Sequence, residues 1–63
     1  MMKEVATIRF TEVETSGEAL AIVRYDEDAI AICLSMKSNG DMQVVMKKKD
    51  AKALLAAMRT AVE

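Results

Sequence analysis

Histidine, proline and tryptophan are absent from this 63-residue chain, and cysteine, phenylalanine and tyrosine occur once each. Each absence excludes something. With Cys33 alone, no intramolecular disulfide can form, so a secreted disulfide framework is excluded and an intracellular protein is expected. With no histidine and one cysteine, one chain cannot gather the four ligands of a Cys/His zinc site. Proton transfer would fall on carboxylates, lysines, Tyr25 or Cys33, and no convergent set of these is visible. Cys33 has no histidine to activate it and reads as a small packing residue. The expectation is a non-enzymatic protein with no cofactor, no metal and no catalytic residue.

Long apolar runs are also missing. The longest, Ala29 to Met36 and Ala53 to Met58, fall far short of the ~18 residues that cross a bilayer. The opening Met-Met-Lys-Glu-Val enters an alternating pattern directly, without the leader of a signal peptide, so a cytoplasmic protein with no membrane contact is expected. What is present, 52% hydrophobic and 30% charged residues, suits a folded globule. Residues 1–63 form a single domain, because so short a chain cannot supply two cores. Chains of this size commonly need a disulfide, a metal or a partner; with the first two excluded, self-association is left.

The two glycines, Gly17 and Gly40, sit between alternating segments and mark turns. Residues 5–13 put Ala6, Ile8 and Phe10 opposite Thr7, Arg9 and Thr11, the period-2 mark of a half-buried strand. Ala19 to Tyr25 forms a second, compact strand. After Asp26-Glu27-Asp28, a third strand places Ile30, Ile32, Leu34 and Met36 on one face and Ala29, Ala31, Cys33 and Ser35 on the other. A fourth runs from Asp41 to Lys48 with Met42, Val44 and Met46 on one face.

A slip of one residue would send every side chain of a strand to the opposite face, so the apolar pattern selects the register. A three-residue Ser38-Asn39-Gly40 loop with Gly40 left-handed pairs Met36 with Met42, Leu34 with Val44 and Ile32 with Met46. For the second strand two registers stay open. A three-residue loop turns Leu20 and Ile22 toward the core, favoured because they bury more area; a two- or four-residue loop turns Ala21, Val23 and Tyr25 inward.

From Asp50, Ala51, Leu54, Leu55, Met58 and Val62 recur at helical spacing, with Asp50 as the natural N-cap. The predicted fold is α+β: a four-stranded antiparallel β-meander followed by one C-terminal α-helix packed on one face, or ββββα. The helix is expected to lay its stripe on the Ile30/Ile32/Leu34/Met36 face.

Three features carry functional readings. The opposite sheet face, Ala31, Cys33, Ser35 and Val45 joined by Ala21, Val23 and Tyr25, is small and largely uncharged, and one helix cannot cover both sides of a sheet. The cheapest cover is a second copy related by a two-fold axis, which predicts a homodimer with that face toward its partner. The basic run Lys47, Lys48, Lys49 with Lys52 has the charge to neutralise phosphates, but a meander sets it near Asp26, Glu27 and Asp28. The acidic run itself reads as a solvated turn, since calcium loops need more ligands at set spacing.

The ββββα order is similar to that of the transcriptional positive-cofactor family of single-stranded DNA-binding proteins, which act as dimers. That resemblance covers the order of elements and implies a single-stranded nucleic-acid binder as the alternative. The leading expectation is a homodimeric interaction module, a regulator or inhibitor acting through contacts with a protein partner.

Overall fold

The computed structural model describes residues 1–63 as one open sheet followed by one helix. The strands are β1 (Lys3–Thr11), β2 (Glu18–Tyr25), β3 (Ala29–Met36) and β4 (Gly40–Lys47), antiparallel in the order β1-β2-β3-β4, and α1 spans Lys48–Val62. The ββββα fold is the one the alternation and the switch to helical spacing specify. Loops are held locally. The Glu12 carboxylate accepts hydrogen bonds from the Thr15 hydroxyl (2.7 Å), the Thr15 amide (2.7 Å) and the Glu14 amide (3.1 Å). Those bonds, the Thr15 hydroxyl first, hold its carboxyl below the ordinary range.

In an antiparallel pair, directly opposed residues share a face. Ile8 opposes Ala21, Val23 opposes Ile32, Tyr25 opposes Ile30, and Ile32 opposes Val44. One face therefore carries Ala6, Ile8 and Phe10 from β1, Ala19 to Tyr25 by odd numbers from β2, and the even residues Ile30 to Met36 and Met42 to Met46. Strand two thus takes the register that the size of Leu20 and Ile22 disfavours. The turn decides it: the Asp26 carboxylate accepts the amides of Asp28 (2.9 Å) and Ala29 (2.8 Å), and the Asp26 amide donates to the Ala29 carbonyl (3.0 Å). A short polar side chain bonding its own turn outweighs a few methylenes of burial.

The β3–β4 hairpin keeps the expected faces in a register two residues away from the expected one. Met36 opposes Gly40 and Leu34 opposes Met42 across a Lys37-Ser38-Asn39 loop. The Asn39 amide donates to the Met36 carbonyl (3.2 Å), and Gly40 has φ +80. This register brings the Ser35 hydroxyl onto the Asp41 carboxylate. Because the shift is even, parity survives. Near the free edge, β1 carries an irregularity between Glu4 and Ala6 that leaves Val5 without a partner.

Strand β4 passes into α1 with no connecting residue. Lys47 is extended and stands at the N-cap without a side-chain cap bond, so Asp50 lies inside the first turn and is not the cap. There its charge suits the positive end of the helix dipole. The helix packs against β3 and β4. Only Ala51 is half-buried; Leu55 and Met58 are both 58% exposed. Most of the expected stripe therefore does not reach the sheet.

Secondary structure is complete, with 35 of 41 backbone hydrogen bonds inside strands and helix, so what is scarce is side-chain burial. Only Ala19 and Ala31 are buried. The outline is broad and thin, 34 × 31 × 16 Å. Four strands of this length make a slab of about 14 × 26 Å. The remaining breadth belongs to the loops and the helix.

Candidate interaction surface

The two sheet faces differ in chemistry. Between Ala6 and Met46 the face described above holds no charged side chain, and Phe10, Tyr25, Leu34 (48% exposed), Met42 (64%) and Val44 lie open on it. The other face mixes Thr7, Arg9, Leu20, Ile22, Arg24, Gln43 and Lys47 with the small residues of β3. A contiguous uncharged face this open exceeds the scattered apolar residues of an ordinary surface.

The expected partner face is split by the register of β2. Ala31 (buried), Cys33 and Ser35 (half-buried) and Val45 (exposed) share the mixed face. Ala21 and Val23 (half-buried) and Tyr25 (exposed) stand on the charge-free face instead. The seven residues therefore form no single surface. Leu34, expected beneath the helix stripe, belongs instead to the open apolar surface, together with Ile8, Phe10, Met42 and Val44. The sequence signal that could have exposed them is the basic run itself, which leaves no turn residues between strand and helix.

Lys47, Lys48, Lys49 and Lys52 are all exposed, clustered where β4 becomes α1. The β2–β3 turn lies at the same end of the sheet, since Tyr25, Ile30 and Met46 form one cross-strand row. Asp26 has its carboxyl held below the ordinary range, by the Asp28 and Ala29 amides first and with Lys48 as a lesser influence. Lys48 thus sits within electrostatic reach of the acidic turn.

No three acidic, histidine or cysteine side chains gather as a metal site. No helix is long and apolar enough to cross a membrane. A hollow of about 360 Å³ opens at the far end of the sheet among Arg9, Phe10, Glu18, Leu20, Ser35 and Lys37, with mixed charge and no convergent set of groups. No protein-family model, curated protein or solved structure matches this chain.

Proposed function

We propose that this chain is a non-enzymatic interaction module of the cytoplasm, a homodimer that regulates or inhibits a partner through protein contacts. The observation that carries the reading is the charge-free face spanning all four strands, with Leu34, Met42 and Val44 open on it. Burying such a face is the dominant favourable term in most protein association. Sedimentation velocity at micromolar concentration tests the dimer: a species of twice the 6.9 kDa of one chain is expected, and a clean monomer ends the reading.

The exposed lysine cluster favours a second reading, a single-stranded nucleic-acid binder using Lys47, Lys48, Lys49 and Lys52. Phe10 and Tyr25, the only aromatics for stacking, stand at opposite ends of the sheet, which weighs against it. Fluorescence anisotropy with labelled oligonucleotides decides. Phosphate contacts give an affinity that falls steeply with salt, and no binding at low salt removes this reading.

A further inference from the structure

We infer that the charge-free face of each chain is covered by α1 of a second copy, in a reciprocal two-fold dimer. This rests on the homodimer reading above and specifies its geometry. Each chain displays two apolar surfaces that it leaves largely open: the sheet face, and the helix stripe Leu54, Leu55, Met58 and Val62. The stripe from Ala51 to Val62 runs about 16 Å along the helix. The face from Ile30 to Met36 runs about 20 Å along the strand, a match in length. A two-fold axis that sets one helix on the partner's sheet must set the partner's helix on the first, so a single contact closes both surfaces.

The chain's own helix, though it touches β3 and β4, leaves Leu34, Met42 and Val44 open. Connections that fold a helix back over its sheet take about 2–6 residues, and none separates Lys47 from Lys48. Area points to a second copy. The chain exposes 5282 Å², whereas a compact monomer of 6.9 kDa exposes about 4000 Å². The excess is roughly 1300 Å² per chain, so a pair would bury about 2600 Å², within the range of obligate homodimers.

The test uses the full chain. Variants Cys33→Ser/Leu34→Cys and Cys33→Ser/Met58→Cys are refolded together in equal amounts, oxidised and resolved by mass under non-reducing conditions. A disulfide joining the two different variants is expected to dominate. Its absence overturns the helix exchange, whether the links found are sheet to sheet, helix to helix, or none; the homodimer reading then stands if the wild type still sediments as a dimer. A wild-type monomer overturns both. Should a variant fail to fold, hydrogen exchange on the wild type decides instead. Helix amides must gain protection together with those of β3 and β4 as concentration rises. A helix that stays unprotected while the sheet is dimeric overturns the exchange, because an isolated helix of this length is marginal in water.

Discussion

Two residues fix the registers on which the faces depend. Gly40, at φ +80, has open space where a Cβ would go, so its role is backbone conformation alone. Gly40→Ala is therefore expected to cost about 1–2 kcal/mol, the left-handed penalty without a clash, measured by urea denaturation. Asp26 acts through its carboxylate. Because its folded pKa lies below the ordinary 3.8, its stabilisation is present above that value and is lost as pH falls through the folded pKa. Asp26→Ala is expected to lower the Tm near neutral pH, with the gap to wild type closing in acid below about 3.8; a gap independent of pH would refute the role. Gly40 was legible as a turn residue. The Asp26 turn was less so, because side-chain size and turn chemistry point to opposite registers and only the folded turn, with both amides on one carboxylate, ranks them.

At the scale of elements, all four strands and the helix follow from hydrophobic period, with ends displaced by a residue or two. The helix start was misplaced because Asp50 is a good N-cap by type, while the chain begins the helix at Lys48 without a side-chain cap. That start puts Lys48 and Lys49 at the positive end of the helix dipole, against their charge. Lys49→Glu is expected to stabilise the helix by about 0.3–1 kcal/mol at low salt, read by circular dichroism melts, with the gain fading as salt rises. If the lysines hold nucleic acid, the same substitution weakens oligonucleotide binding, so stability and affinity move in opposite directions. Parity gives a sharper test. Val44 and Val45 are adjacent and similarly exposed, at 47% and 54%, but stand on opposite faces. Val44→Glu is expected to dissociate the assembly and Val45→Glu to leave it intact; equal behaviour of the two in sedimentation would show that the charge-free face plays no part.

For the whole molecule, the proposed dimer makes stability and association one quantity. With only two buried residues in the single chain, the proposed partner would supply most of the burial, so Tm is expected to rise with protein concentration. A concentration-independent Tm would mean that the single chain suffices. The expectation of a partner rests on length and missing disulfides alone; which face stays open was not legible in the sequence, because that depends on where the helix goes. The unpaired Val5 in β1 has its own consequence. An outer strand that kinks there, between Lys3, Glu4 and Arg9, offers an incoming backbone only a short run of matched amides and carbonyls before the ladder breaks. That break makes the N-terminal part of this margin a poor template for edgewise growth into fibres.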